Sequence, residues 1–247
     1  ALGDTRLSET LQDIDPKQQK AGMRAAFQTL AAVQEVAQAT GLTQSLPAVF
    51  GTAVAMRGLV QSVADMAARQ GLVAVRMDAD ALIETLQVPA EVFVKWDARS
   101  GNAMCGPEGA VRWFDFEWAG RRSGLEDFVW MFGDEHWPPG PEATLEAVLD
   151  VCRDHPHLAA PLGRYGVVFM CTFAIILTAR RVLHMMQALE NGAFAHPQKA
   201  RRMDLLSAHP DSLCRLCDRG VFLAGQDRHL LGFKAFFEDI RARAEAV

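Results

Sequence analysis

Three things are scarce or missing in this 247-residue sequence, and each absence removes a class of protein. No block of lysine or arginine is long enough to track a phosphate backbone and the net charge is −5, so nucleic acid is not an expected partner. The longest apolar run, Tyr165 to Ala179, has about fifteen residues before Arg180 and Arg181 interrupt it, short of the ~20 that a membrane span needs. It reads as a core helix, and no membrane association is expected. Five cysteines at irregular spacing make no disulfide framework, and Ala1 to Arg6 lack the basic-then-apolar pattern of a secretory signal. A reducing cytoplasm is the expected compartment. Internal repeats, low-complexity tracts and an evident linker are also lacking, so residues 1–247 are read as one domain.

What is present is helical patterning with a core to match, since half of the residues are apolar. Asp15-Pro16 reads as an N-cap followed by proline at the first helical position, and Met23, Phe27, Leu30, Val33 and Ala37 then recur at three- and four-residue steps. A second helix is expected from about Thr52 to Arg69 and a third from Asp80 to Gln87, stopped by Pro89. Residues 1–90 are thus read as helical. Strand character enters at Val92 to Val94 and again at Ala110 to Phe116, where Val111, Trp113, Phe114 and Phe116 predict a buried strand after the turn Gly106-Pro107-Glu108-Gly109. From Leu125 onward the pattern is helical: Leu125 to Phe132, Pro141 to Arg153, Gly163 to Glu190, and two or three more helices. The fold class expected is mainly α with a small β-hairpin insert, an α+β arrangement.

The chemistry concentrates in one segment. Lys95-Trp96-Asp97-Ala98-Arg99-Ser100-Gly101-Asn102 forms a polar loop after the first strand, and Asp115 ends the hydrophobic strand that follows. Phosphoryl transfer from a nucleotide needs a carboxylate to position and deprotonate an acceptor hydroxyl, and oxygen ligands that hold magnesium against the phosphates. An Asp-x4-Asn loop followed by a strand-borne Asp supplies both.

That segment resembles the catalytic region of aminoglycoside phosphotransferases and their choline-kinase-like relatives, whose pattern is His-Gly-Asp-x4-Asn, then Ile-Asp-Trp-Glu, then Gly-Asp-Pro-x-x-Asp. Here the three parts stand as Lys95-Trp96-Asp97 with Asn102, Phe114-Asp115-Phe116-Glu117, and Ser123-Gly124-Leu125-Glu126-Asp127. The resemblance implies the C-terminal lobe of a protein kinase-like fold, with residues 91–127 as catalytic loop and metal-binding hairpin and residues 128–247 as the helical, acceptor-binding region. It implies Asp97 as catalytic base, Asn102 and Asp115 as magnesium ligands and Asp127 as a buried acid bracing the loop, with Glu117 and Arg99 as secondary candidates. Its partners would be ATP with Mg2+ and a small-molecule acceptor. Ala1 to Leu11 looks like the segment after the interlobe hinge of that family, and the Gly-rich loop and strand lysine that grip the nucleotide belong to a strand-rich lobe expected to precede residue 1. Lys95 and Trp96 replace the usual His and Gly, and an indole there implies a rearranged loop backbone or a changed acceptor pocket.

The function expected from this resemblance is an ATP- and Mg-dependent phosphotransferase with an alcohol group as acceptor. The alternative is a catalytically inactive kinase-like binding or scaffolding module, and a third reading is a helical protein unrelated to kinases. From Ser123 to Cys152 the chain carries seven acids and neither lysine nor arginine. Glu126, Asp134 and Glu135 among them are candidates for binding a cationic acceptor, against the alternative of a solvated acidic face. Cys214 and Cys217 read as apolar residues on adjacent helical turns, not as zinc ligands, although His209 and His229 are near in sequence. His155 and His157, flanking Pro156 in a polar break, read as exposed histidines with no evident partner.

Overall fold

The computed structural model describes residues 5–106, 109–193 and 195–245. It is mainly helical, 66% helix and 6% strand. In chain order come β1 (Thr5–Arg6), α1 (Leu7–Thr10), α2 (Pro16–Ala39), α3 (Leu42–Ser45), α4 (Ala53–Arg69), α5 (Ala79–Leu86), β2 (Val92–Val94) and a 3-10 turn (Ser100–Asn102). There follow β3 (Ala103–Cys105), β4 (Val111–Trp113), β5 (Gly120–Arg122), α6 (Glu126–Val129), α7 (Pro141–Asp154), α8 (Pro156–Glu190), α9 (Pro197–Met203), α10 (Pro210–Ala224) and α11 (Lys234–Glu245). Pro107 and Glu108 of the expected turn, and Ala1 to Asp4 of the segment likened to a post-hinge stretch, lie outside the described residues.

The described residues fall into two compact units. The first comprises residues 5–51, 88–131 and 137–167. Its backbone is α2, which starts where Asp15 accepts hydrogen bonds from the N–H groups of Lys17 and Gln18, both at 3.0 Å, with Pro16 at the first helical position. Met23, Ala26, Phe27, Leu30, Ala31, Gln34 and Ala37 bury one stripe at helical spacing. Phe27 meets Phe128 and Trp137 with ring centroids 6.0 and 5.9 Å apart, which seats α6 and the approach to α7 on that stripe. Two small antiparallel sheets share this support. One has the order β1-β3-β4, and the other pairs β2 with β5 through Val92 with Arg122 and Val94 with Gly120. The expected hairpin is therefore β3–β4, while β2, which precedes it, pairs with the strand that follows it.

The strand expected from Ala110 to Phe116 is shorter than the apolar pattern suggested. Val111 and Trp113 point inward, but ladder pairing ends at Trp113, and Asp115 has φ 59° while Phe116 is 39% exposed. A left-handed residue cannot continue a pleat, so the last two aromatics leave the buried face.

The second unit comprises residues 52–87, 132–136 and 168–245. Helix α4 starts at Thr52, whose side chain accepts from Ala55 N–H, and α5 starts at Asp78, which accepts from Ala81 N–H. Helices α10 and α11 pack so closely at Gly220 that a Cβ there would run into the Phe237 ring. α8 begins in the first unit and continues in the second after a break at Gly166, whose φ 72° and ψ −176° no helix can hold. Its most apolar stretch is long enough to cross a membrane by composition, and 72% of it is buried within the protein. The helix expected from Gly163 to Glu190 is thus two, one from Pro156 to the break at Gly166 and one from there to Glu190.

Candidate functional site

The loop after β2 is shaped by two successive residues in left-handed backbone, Trp96 with φ 56° and Asp97 with φ 51°. Neither is glycine, and such a conformation costs a non-glycine residue roughly 1–2 kcal/mol. Packing holds it in place. The Trp96 indole stacks on Phe50 with centroids 5.4 Å apart and meets Trp130 edge-on at 5.7 Å, leaving the residue 8% exposed. The indole thus goes into the core, and the backbone takes a conformation that glycine adopts more freely.

Asp127 fixes the loop from beneath. Its Oδ2 accepts from Lys95 N–H at 2.7 Å and its Oδ1 from Trp96 N–H at 2.8 Å, while the Gln34 amide donates to Oδ2 at 3.0 Å. Gln34 also donates to the carbonyl of Gly124 at 3.0 Å, a residue with φ 90°. Burial pushes the Asp127 carboxyl up to about 7, against the pull of these three donors and with the Glu126 charge adding to the rise.

Above this base the candidate groups come together. Asp97 is half-buried and accepts from Arg99 through Nε at 2.7 Å and Nη2 at 3.2 Å, a forked ion pair. Asn102, 3% exposed on the 3-10 turn, donates its Nδ2 to the Asp97 carbonyl and to Oδ2, both at 3.0 Å. Among the described residues its amide oxygen takes part in no hydrogen bond.

Lys95, which the sequence marked only as a departure from a motif, is the residue that ties the backbones of Asp97 and Asp115 together. Its side chain is fully buried, and its ammonium donates to the Asp115 carbonyl at 2.7 Å and to the Asp97 carbonyl at 3.4 Å, 5.3 Å from the Phe116 ring centre. Burial lowers its pKa, and the charges of Asp127, Asp97 and Asp115 work against that fall. The signal in the sequence was a charged residue directly continuing the apolar run Val92 to Val94.

Asp115 and Glu117 are exposed at the surface beyond β4. Beside them an apolar groove of about 690 Å³ is lined by Phe116, Phe93, Val33, Val36 and Leu42, among others. Structure thus brings Asp97, Arg99, Asn102, Asp127 and the Asp115 backbone into one connected network. Glu126, Asp134 and Glu135, expected as acceptor-binding acids, are fully buried with protein partners. Glu126 takes Arg122 Nε at 2.9 Å and the Ser123 hydroxyl at 2.7 Å, within the same unit. Asp134 and Glu135 belong to the second unit, where Asp134 accepts from His136 N–H at 2.9 Å and Glu135 is forked by Arg181 at 2.6 and 2.5 Å. Of the seven acids in that stretch, Glu142 and Glu146 are exposed.

No protein-family model matches the chain, and no curated protein matches it.

Proposed function

We propose that this chain carries the catalytic and metal-binding half of an ATP- and Mg2+-dependent phosphotransferase of the protein kinase-like fold, acting on a hydroxyl of a small molecule. The observation that carries the reading is the single network in which Asn102 holds the Asp97 carboxylate at 3.0 Å and the Lys95 ammonium bridges the backbones of Asp97 and Asp115. The donor set suits magnesium, which takes hard oxygen ligands: the free amide oxygen of Asn102 and the exposed carboxylate of Asp115. When bound, the ion would neutralise charge on the transferring phosphoryl group.

The residues' own work is positioning and proton removal. Asp97 would accept the proton of the acceptor hydroxyl, with Asn102 and Arg99 fixing its oxygens, and Lys95 would keep the Asp115 turn in register with the loop. The adjoining groove is of ligand size and offers apolar surface to a bound molecule. A binding module without catalysis is favoured by one observation, the occupation of both Asp97 oxygens by Arg99 and Asn102.

The test is Mg-ATP-dependent phosphate transfer, by the full-length protein with any upstream lobe, to a panel of amino sugars and amino alcohols. Asp97→Ala is expected to lower turnover about 10²- to 10⁴-fold, the range for a lost general base. Asp115→Ala is expected to raise the magnesium requirement. Absence of Mg-ATP binding, with no transfer that depends on Asp97, would overturn the reading, and transfer dependent on Asp115 would dismiss the non-catalytic module.

A further inference from the structure

Among the described residues, one group of three metal-ligating side chains converges, and it lies away from the loop: Glu35 of α2 with His155 and His157 at the junction of α7 and α8. One ligand atom from each lies within 4.8 Å of the other two. Glu35 Oε1 is 2.7 Å from His155 Nδ1 and 3.5 Å from His157 Nδ1. The two imidazoles are held by Pro156 between them, and the carboxylate rides on a 24-residue helix, so all three donors come from firm backbone.

The hydrogen-bond chemistry identifies which atoms face one another. The Gln34 amide nitrogen is fixed by its bond to the Gly124 carbonyl, which can only accept. Its oxygen must therefore be the atom 3.2 Å from His157 Nε2, and that ring nitrogen must carry the proton. In the neutral imidazole the other nitrogen, Nδ1, then presents a lone pair, and what it faces is a carboxylate oxygen. A carboxylate oxygen 3.5 Å from that lone pair calls for a positive centre between the two, either a proton on the imidazole or a metal ion, and the same oxygen is also 2.7 Å from His155 Nδ1.

We infer that Glu35, His155 and His157 form a zinc(II) site, completed by a water at the fourth position. Two imidazoles and one carboxylate are a donor set that zinc takes in tetrahedral geometry, with metal–nitrogen bonds of about 2.0–2.1 Å and hence ligand–ligand edges of roughly 3.3 Å. The His157–Glu35 separation of 3.5 Å is close to that edge, the 2.7 Å His155–Glu35 contact must open by about 0.6 Å, and the remaining pair lies within 4.8 Å. Gln34 supplies the outer contact typical of metal-bound histidine, an acceptor for the ring N–H that fixes the tautomer. The site is accessible, since the Glu35 side chain is 46% exposed and that of His155 21%. It is independent of the phosphotransfer reading.

Titration of the metal-free protein with Co2+ tests this directly. The expected result is one cobalt per chain with the intense visible absorption of a tetrahedral ion, displaced by stoichiometric Zn2+. Either His155→Ala or His157→Ala is expected to weaken binding at least a hundredfold. Glu35→Ala, at an exposed helical position that tolerates the change, is expected to weaken it at least tenfold, and keeps the test decisive should a histidine variant fail to fold. Cobalt uptake that is unaltered in the folded Glu35→Ala and histidine variants, or no uptake at all, would overturn the site.

Discussion

Two buried acids, one in each compact unit, solve the same problem in opposite ways. Asp127 is fully buried and held by three N–H donors with no cation in contact, and its pKa rises to about 7. Burial also acts on Glu135, but the Arg181 guanidinium 2.5 Å away outweighs it, with His136 and hydrogen bonds adding, and holds that carboxyl at about 2. Neutral donors orient a buried carboxylate, whereas a guanidinium also fixes its charge. The acid beneath the candidate site is thus the one left able to change protonation, and the acid of the second unit is locked.

The sharpest way to break the contrast is to take away the guanidinium. Arg181→Met strands the Glu135 carboxylate, and a stability loss of about 3–5 kcal/mol is expected at neutral pH, read as a lowered denaturant midpoint. In the parent, the contribution of a depressed carboxyl is present above pH 4.5 and fades as pH falls toward 2, so the variant should differ least from the parent in acid. A mutant as stable as the parent at pH 7 would mean that Arg181 does not set the charge of Glu135.

The second prediction concerns Asp127. Because its folded pKa lies above its ordinary 3.8, its contribution to stability is complete below that value and is lost as pH rises through about 7. Urea unfolding across this window should show a decline on the order of 2–4 kcal/mol assignable to this group. Asp127→Asn should be less stable throughout, since its amide N–H would meet a backbone N–H, and its profile should be flatter. An equal slope in both proteins would show that Asp127 stays ionised.

The smallest expected effect on stability belongs to Lys95→Met. A buried ammonium costs desolvation that an apolar side chain of similar length does not, so the change should lie within about 1 kcal/mol. If the phosphotransfer proposal holds, transfer in contrast should fall through kcat with little change in the KM of the acceptor, because Lys95 bonds the Asp115 backbone. A collapse in stability of several kcal/mol would assign the lysine a structural role instead.

Much of this was legible from the chain, for definite reasons. Asp15-Pro16 and Thr52 announce helix starts through chemistry local to a single turn, and the third helix, expected from Asp80, starts one residue earlier behind the Asp78 cap, so the observed boundaries fall within a residue or two of those expected. Asp97 and Asn102 are joined by a loop short enough for sequence spacing to imply contact. What was hidden depends on partners distant in sequence. Nothing near Lys95 tells that its ammonium reaches Asp115, twenty residues on, and nothing near Pro156 tells that two histidines meet Glu35, 120 residues earlier. The acids Glu126 and Glu135 were misjudged as a surface because a run of like charges records composition, while their burial was decided by Arg122 and Arg181.

The consecutive left-handed residues Trp96 and Asp97 bear on how this protein can vary. At position 96 the chain accepts a glycine, which adopts that backbone freely, or a large aromatic, whose burial between Phe50 and Trp130 offsets the torsional cost. A residue of middle size gains neither advantage. The landscape at that position therefore has two peaks with a valley between them, and the tryptophan seen here stands on one of them.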